Sequence, residues 1–211
     1  MLVRDGAHGL EVLLVRRSSR SAFAPDAFVF PGGTVDPEDY NIQPNGWTAR
    51  IADEFRARTP DALPTTEEPV GEADAAALVA AAVRELREEA AVDVAPERLV
   101  FFSHWITPPT EPRRYNTHFF LAPGDEAPTV SADAYETHDA QWIAPSLALE
   151  RYAGGEMHLV YPTIKHLERL VPFASIADAL AYARTKPILT IMPDRAPSEG
   201  FIMPPELEGA W

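Results

Sequence analysis

Short stretches of alternating or continuous apolar residues open the chain, which is the pattern of β-strands. Residues 1–6 predict a strand that runs into a turn at residues 6–9, and residues 11–16 predict the return strand of a hairpin. The first strand begins abruptly, so we expect one or more of its residues to precede Met1. Residues 29–30 predict a short buried strand that enters a pair of glycines.

Helical and strand periods both appear farther along the chain. Residues 47–59 place Trp47, Ile51 and Phe55 on one helical face, whereas the Pro-, Thr- and Glu-rich residues 59–71 predict a loop. Residues 74–90 predict a helix because Ala, Leu, Arg and Glu are strong helix formers. Further strands are predicted at 99–105, 116–122, 140–143 and 188–192, and further helices at 162–171 and 175–185. Ser175 is the predicted N-cap of the second of these helices.

This mixed order of strands and helices predicts an α+β fold or an α/β/α sandwich. With 211 residues and 46% apolar content, we expect a single domain over residues 1–211. The Pro-rich tail, from about 193 to 211, is expected to be loose or to lie over a neighbouring element.

Composition excludes several classes of protein. A net charge of −14 disfavours a nucleic-acid binder, which would present a basic face. The absence of cysteine excludes disulfides and thiolate metal sites. No apolar run approaches about 18 residues and no signal-peptide pattern opens the chain, so we expect a cytoplasmic protein without membrane contact.

Three carboxylates mark the predicted helix at residues 74–90. Glu85, Glu88 and Glu89 stand at i, i+3 and i+4 and therefore share one helical face. They repel one another, and they lie toward the helix C-terminus, where the dipole disfavours anions. This arrangement predicts a bound cation, and Mg²⁺ or Mn²⁺ suits an all-oxygen site. The alternative is an ordinary solvated surface on which Arg84 and Glu88 form an ion pair.

Two segments together resemble the signature of the Nudix hydrolases, G-x5-E-x7-R-E-U-x-E-E-x-G-U, where U is aliphatic. Gly33, at the end of Phe30-Pro31-Gly32-Gly33, matches the first position. Residues 84–89 match R-E-U-x-E-E residue for residue, and Val92 matches the final aliphatic position.

The match departs from the signature in three places. About 37 extra residues separate its two halves, and we assign them to an insertion at about residues 36–71. Counted back from Arg84, the first Glu of the signature falls on Ala76. Ala91 replaces the usual Gly after the helix, so we expect this helix to end differently, at a cost of about 1 kcal/mol.

The N-terminal third resembles the coenzyme A diphosphatase branch, whose signature reads L-L-T-x-R-S/A-x3-R-x3-G-x3-F-P-G-G. Leu13, Leu14, Arg17 and Ser18 fall at the right spacing, whereas Ala22 and Asp26 replace Arg and Gly. Residues 105–108 (Trp-x-Thr-Pro) and 113–120 (Arg-Arg-aromatic-x-Thr-x-Phe-Phe) are similar to the peroxisomal subgroup of that branch. The resemblance covers nearly the whole chain.

This resemblance implies a Nudix α/β/α sandwich with a mixed β-sheet between helices. It also implies a metal-dependent diphosphatase that cleaves coenzyme A or acyl-CoA into 3′,5′-ADP and (acyl-)phosphopantetheine. Two alternatives stay open: a Nudix pyrophosphatase of ADP-ribose or NADH, and a catalytically silent binding or regulatory domain with the same fold. The implied partner is a small nucleotide substrate, and a homodimer is one expected assembly.

The resemblance implies that Glu85, Glu88 and Glu89 are metal ligands, with the carbonyl oxygen of Gly33 as a further ligand. Glu85 is alternatively the base that activates the attacking water. Arg84 either orients a ligand carboxylate or touches the substrate. Two further carboxylates, in Glu136 and Glu111, are candidate bases or ligands, with a structural ion pair as the alternative for each.

Arginines are the candidate phosphate contacts, because the guanidinium fork matches phosphate geometry. Arg17 is one candidate, with Arg16 as its rival. Arg113 and Arg114 are the others, and if they lie on a strand only one of them faces inward. The histidines within the predicted strands, His104 and His118, are interpreted as packing or hydrogen-bonded residues.

Overall fold

The computed structural model describes residues 1–21, 24–42, 46–58, 71–124, 137–196 and 200–211. Its helices are α1 (Gly46–Arg58), α2 (Glu72–Ala90), α3 (Pro145–Ala153), α4 (Tyr161–Leu170) and α5 (Ile176–Thr185), with short 3₁₀ helices at Pro37–Asn41 and Pro96–Arg98. Its strands are β1 (Leu2–Gly6), β2 (Gly9–Arg17), β3 (Phe28–Val29), β4 (Val100–Ile106), β5 (Asn116–Pro123), β6 (Thr137–Ile143), β7 (Thr190–Ile191), β8 (Asp194–Ala196) and β9 (Gly200–Ile202).

The main sheet is mixed and has the strand order β3-β2-β1-β5-β4-β7, with β6 also paired to β2. The β1–β5 and β4–β7 pairs are parallel, and the remaining pairs are antiparallel. Strands β8 and β9 form a separate antiparallel ribbon.

Helices cover both faces of the main sheet because its strands are apolar on both sides. On β2, Val12 joins a core with α3, α4 and α5, whereas the next residue, Leu13, joins a core with α1 and α2. On β4, Phe102 packs in the core with α3, α4 and α5, and Phe101 packs in the core with α1 and α2. The fold is therefore an α/β/α sandwich, as the sequence predicts.

Most predicted elements are present. The hairpin of β1 and β2, helix α2 and helix α5 are confirmed, and the Ser175 side chain accepts a hydrogen bond from the Asp178 N–H at 3.2 Å, as expected of an N-cap. Helix α1 is also present, and its Ile51 and Phe55 pack into the core that it shares with α2. The loop predicted at 59–71 lies outside the described residues except for Gly71.

Helix α3 and the two strands that follow β7 were not predicted. The Pro-rich tail packs closely against the molecule, which is one of the two outcomes expected for it. Met203, Leu207 and Trp211 of the tail are each at least nine-tenths buried and belong to the core beneath α4 and α5. Within the described ranges, none of the helices combines the length and the apolar content needed to cross a bilayer.

Candidate active site

Helix α2 brings the carboxylates of the signature to the glycine turn that follows β3. Glu85 and Glu89 are buried, with 9% and 5% of their surfaces exposed, whereas the Glu88 side chain is 57% exposed. The helix therefore places two carboxylates inside the site and one at its edge.

The two glycines of the turn fit these buried carboxylates closely. The Gly32 N–H donates to Glu89 Oε2 at 2.9 Å. A Cβ added to Gly33 would overlap the Glu85 carboxylate, so any side chain at this position would displace Glu85. The backbone of the turn and the carboxylates of α2 thus form one unit.

Arg84 joins the carboxylates of α2 to a second acidic segment. Its Nη1 donates to Glu85 Oε1 at 2.7 Å and to Glu88 Oε2 at 3.3 Å. Its Nη2 donates to the carbonyl oxygen of Thr34 at 2.9 Å, just after the glycine turn. The same guanidinium binds both oxygens of Asp39, at 3.2 Å through Nε and 2.9 Å through Nη2. Arg84 is thereby fixed on three sides.

Asp39 is the site residue that the sequence analysis missed. It is 6% exposed, lies in the 3₁₀ helix Pro37–Asn41 and also accepts from the Asp36 N–H at 2.8 Å. Counted forward from Gly33 with the signature's five intervening residues, the acidic position falls on residue 39. Counting back from Arg84 led to Ala76, because the extra residues lie between Asp39 and Arg84. The forward count was the signal that could have found Asp39.

The contact between Asp39 and Arg84 shifts the pKa values of both groups. Burial alone would raise the pKa of Asp39, but hydrogen bonds from Arg84 and from the Asp36 backbone outweigh it and hold that pKa below its ordinary value. The hydrogen bond to Asp39 is the largest factor that raises the pKa of Arg84, against the opposing effect of burial. Both groups therefore stay charged across the ordinary pH range.

The end of α2 corrects one expectation. Ala91 adopts the left-handed conformation, with φ 55° and ψ 34°, which the signature's Gly would adopt more easily. The Ala91 N–H donates to the Arg87 carbonyl at 3.0 Å and the Val92 N–H to the Leu86 carbonyl at 3.2 Å. Val92 is almost fully buried, which holds the turn in place despite the strain at Ala91.

Asp26 also occupies a position where the signature has Gly, and it too has a positive φ, at 59°. Asp tolerates this conformation better than most residues. Its carboxylate accepts a hydrogen bond from Arg16 at 3.0 Å. Arg17 donates to Ser21 Oγ at 2.8 Å through Nη2. Arg16 and Arg17 are thus both engaged near the start of the β2–β3 connection.

Arg113 and Arg114 are not on a strand, because β5 begins at Asn116, where the sequence predicted a strand to start. They are exposed and lie in the loop before β5, so the strand rule that only one of them faces inward does not apply. Arg114 Nε donates to the Thr107 carbonyl at 2.9 Å. No contact between these arginines and the carboxylates of α2 is seen in the described part of the chain.

Of the two other candidate carboxylates, the structure describes only Glu111. Glu111 forms an ion pair with Arg195 of β8, with 2.8 Å between Arg195 Nη1 and Glu111 Oε1. Glu136 lies outside the described residues.

His104 and His118 stack with ring centroids 4.3 Å apart, and His104 bonds Thr190 and Asn116. Burial and then the neighbouring His104 lower the pKa of His118 to about 3. These contacts are those of packing residues.

The predicted ligands, three carboxylates and a glycine carbonyl, are of the oxygen type that a hard divalent cation prefers. Over the described ranges, no three His, Cys, Asp or Glu side chains converge as a metal site would. Each carboxylate has another partner in the structure: Arg84 contacts Glu85 and Glu88, and the Gly32 N–H contacts Glu89. The Glu85 carboxylate fills the space that a side chain at Gly33 would occupy, and the exposed Glu88 side chain lies at the edge of the site.

Comparison with a solved structure defines the class. The crystal structure of a NUDIX hydrolase from Alicyclobacillus acidocaldarius matches with a TM-score of 0.64 and 27% identity, over 85% of this chain and 92% of that chain. This chain therefore has the Nudix fold. No protein-family model matches it.

Within that class, the chain is similar to acyl-coenzyme A diphosphatases. It is 26% identical to acyl-coenzyme A diphosphatase NUDT19 of Xenopus laevis over 236 residues, which covers 80% of this chain and 61% of that protein. It is also 26% identical to the NUDT19 of Homo sapiens over 240 residues, with 82% and 63% covered. The resemblance seen in the sequence is confirmed. The chain spans 55% to 63% of the length of the curated relatives it matches.

Proposed function

We propose that this chain is a metal-dependent Nudix hydrolase that cleaves the phosphoanhydride of a nucleoside diphosphate-linked compound. The proposed substrate is coenzyme A or acyl-CoA, with 3′,5′-ADP and (acyl-)phosphopantetheine as products. The observation that carries this proposal is the placement of Glu85 and Glu89 against the Gly32–Gly33 turn. The printed activity of the NUDT19 relatives supports the choice of substrate.

The chemistry requires a way to bring an attacking water to a negatively charged diphosphate. Mg²⁺ or Mn²⁺, when bound, supplies charge that neutralises the phosphate oxygens and lowers the pKa of a bound water. Glu85, Glu88 and Glu89, with the Gly33 carbonyl, are the groups proposed to hold it. Glu85 is alternatively the base that accepts the proton from the attacking water.

Arg84 has a positioning role in this proposal. Its guanidinium contacts both Glu85 and Glu88 and is itself clamped by Asp39, so it fixes the direction in which the two carboxylates point. Such outer contacts orient ligands and tune their basicity. Arg17, Arg113 and Arg114 are proposed to bind the substrate's phosphates, because they are cations in a chain of net charge −14.

ADP-ribose or NADH is the second candidate substrate. Asp26, which replaces the Gly of the coenzyme A signature, pairs with Arg16 and so occupies one arginine that could meet a 3′-phosphate. Ala22 also lacks the guanidinium that the signature has at that position. These two substitutions favour a substrate with fewer phosphates.

A hydrolysis panel tests the proposal. Coenzyme A, dephospho-CoA, acyl-CoA, ADP-ribose, NADH and a diadenosine polyphosphate are each incubated with the protein and Mg²⁺ or Mn²⁺, and the products are separated by chromatography. We expect coenzyme A or acyl-CoA to be cleaved at the diphosphate, and a chelator to abolish turnover. A preference of tenfold or more for ADP-ribose or dephospho-CoA corresponds to about 1.4 kcal/mol in transition-state energy. This result would rule out coenzyme A as the preferred substrate, but the assignment as a Nudix hydrolase would stand.

Hydrolysis of none of these compounds, with the fold intact, would instead favour a silent binding domain. The cytoplasmic location and the homodimer stay predictions.

A further inference from the structure

The ribbon of β8 and β9 is tied to the loop that carries Arg113 and Arg114. Arg195 of β8 donates through Nη1 to Glu111 Oε1 at 2.8 Å. Glu111 lies near the middle of this loop, which comprises residues 107–115 and is called the arginine loop below. Through this ion pair, the tail of the chain reaches across to a segment 84 residues earlier in sequence.

The arginine loop is closed at its base by its own hydrogen bonds. The Thr107 N–H donates to the Tyr115 carbonyl at 2.9 Å, and the Tyr115 N–H donates to Thr107 Oγ1 at 3.1 Å. The Glu111 N–H donates to the Pro108 carbonyl at 3.1 Å. These bonds shape the base and one turn of the loop, and the Glu111 side chain contacts Arg195, outside the loop.

The ribbon holds Arg195 in place for its ion pair with Glu111, because the ribbon packs on the core. The Arg195 guanidinium carbon lies 5.1 Å from the centre of the Phe201 ring on β9. Phe201 in turn packs 5.9 Å from Tyr161 at the start of α4, and Tyr161 packs edge-on against the buried Trp105 at 6.2 Å. An unbroken line of contacts therefore runs from the core of the sandwich to Glu111.

The nature of the ion pair sets the size of the expected effect. The Arg195 side chain is 49% exposed and that of Glu111 23%. Exposed pairs contribute little to global stability. A contact of this kind can still order a short surface loop, because loops have few other restraints.

We propose that Arg195 is a positioning residue, which orders the arginine loop through Glu111 so that Arg113 and Arg114 are presented to the phosphates of the substrate. This inference rests on the proposed function for the role of Arg113 and Arg114. It assigns Glu111 to a structural ion pair and removes it from the candidate bases and metal ligands.

The experiment compares four variants of the full chain with wild type. Arg195→Ala and Glu111→Gln each break the pair, and Glu111→Gln leaves Arg195 over Phe201. The exchange variant, Glu111→Arg with Arg195→Glu, restores a pair of opposite charges without changing net charge. Arg56→Ala is the matched control, because it removes an exposed arginine and its 2.7 Å ion pair with Asp53 on α1.

Two measurements are made on each variant. Hydrogen exchange followed by mass spectrometry reports the order of residues 107–116, and steady-state kinetics report KM and kcat for coenzyme A. We expect Arg195→Ala and Glu111→Gln to exchange faster in this segment alone and to raise KM about three- to fivefold, the scale of one exposed ion pair. We expect kcat to stay within about twofold, the exchange variant to recover both properties, and Arg56→Ala to match wild type.

Three results would overturn the inference. One is unchanged exchange in both single variants, and a second is faster exchange with an unchanged KM. The third is a fall of about a hundredfold in kcat for Glu111→Gln alone, which would make Glu111 a base or ligand.

The substrate assignment fails separately. If wild type cleaves another compound of the panel and not coenzyme A, KM is measured for that compound. If wild type cleaves none, the affinity for 3′,5′-ADP, measured by calorimetry, takes the place of KM. A weaker affinity in both single variants, restored by the exchange variant, would support the inference, and equal affinities would overturn it.

Discussion

At the scale of single residues, Arg84 lies between two groups of carboxylates. On one side are Glu85 and Glu88 of α2, and on the other is Asp39 from the 3₁₀ helix. The guanidinium of Arg84 contacts both oxygens of Asp39, and this two-point contact prevents the guanidinium from rotating. We therefore expect Asp39 to affect turnover without touching the substrate.

This role of Asp39 can be measured in the Asp39→Asn variant. The amide cannot accept through both of its outer atoms, so Arg84 should lose its fixed direction and kcat should fall about tenfold to a hundredfold. Asp53→Asn, which breaks an exposed pair on α1, is the control and should retain wild-type kcat. Steady-state kinetics on the best panel substrate provide the measurement. A kcat for Asp39→Asn within about twofold of wild type would show that Arg84 does not depend on this clamp.

The sequence predicted the carboxylates of α2 and the glycine turn because their spacing within one helix and one turn is local. It did not predict the contact of Asp39 with Arg84, which are 45 residues apart and meet only through the fold. It gave the contact of Arg84 with a neighbouring carboxylate as one alternative. It did not predict the hydrogen bond from the Gly32 N–H to Glu89, because that bond depends on packing between residues distant in sequence.

At the scale of elements, the end of α2 stores strain next to the site. Ala91 is in the left-handed region, where the Cβ of an L-residue is disfavoured. We expect Ala91→Gly to raise the free energy of unfolding by about 0.5–1 kcal/mol. Ala181→Gly on the exposed face of α5 is the matched control and should lower it by about 1 kcal/mol.

Urea denaturation of both variants provides the measurement. A loss of stability in Ala91→Gly would mean that the alanine is not strained as its φ and ψ indicate. Unchanged kinetics in the same variant would show that the strain at Ala91 is not needed for turnover.

Most elements were predicted, and the missed ones, α3, β8 and β9, are short. Helix α2 has 19 residues of strong helix formers, so its pattern is unambiguous. Helix α3 has nine residues and buries only Pro145 and Ala148, which leaves little apolar stripe to detect. Strands β8 and β9 have three residues each, too few to show an alternation. The burial of the Pro-rich tail follows from tertiary packing of a few apolar side chains.

At the scale of the whole molecule, His166 links Phe30, which leads into the glycine turn, to the core beneath α4 and α5. Its Nδ1 donates to the Pro162 carbonyl at 2.6 Å, so its Nε2 accepts from Ser103 Oγ at 2.6 Å. Its ring packs 5.9 Å from Phe30, which leads into the turn, and 5.2 Å from Trp211. The histidine is fully buried in this core.

Burial makes this histidine a source of acid sensitivity. Burial, partly opposed by the Pro162 hydrogen bond, lowers the pKa of His166 from 6.5 to about 3. Between these values the unfolded chain binds the proton and the folded chain does not, so stability falls as pH decreases from 6.5 toward 3. His118, whose pKa is also lowered to about 3, adds a dependence of the same sign.

We expect His166→Gln to flatten this dependence, because glutamine does not titrate. The free energy of unfolding is measured by urea at several pH values from 7 to about 4, and its slope against pH should be smaller than in wild type. His8→Gln, at an exposed position, should keep the wild-type slope. Equal slopes for wild type and His166→Gln would show that His166 does not contribute to the acid sensitivity.

The central claim is that the carboxylates of α2 would hold the divalent metal on which hydrolysis of the diphosphate depends. Its most direct test is Mn²⁺ binding by electron paramagnetic resonance, together with turnover, in wild type, Glu89→Gln and the exposed control Glu150→Gln. We expect wild type and Glu150→Gln to bind Mn²⁺ and to turn over alike. We expect Glu89→Gln to bind it more weakly and to lose about a hundredfold or more in kcat while keeping its fold. Wild-type Mn²⁺ affinity and wild-type turnover in Glu89→Gln would contradict the assignment.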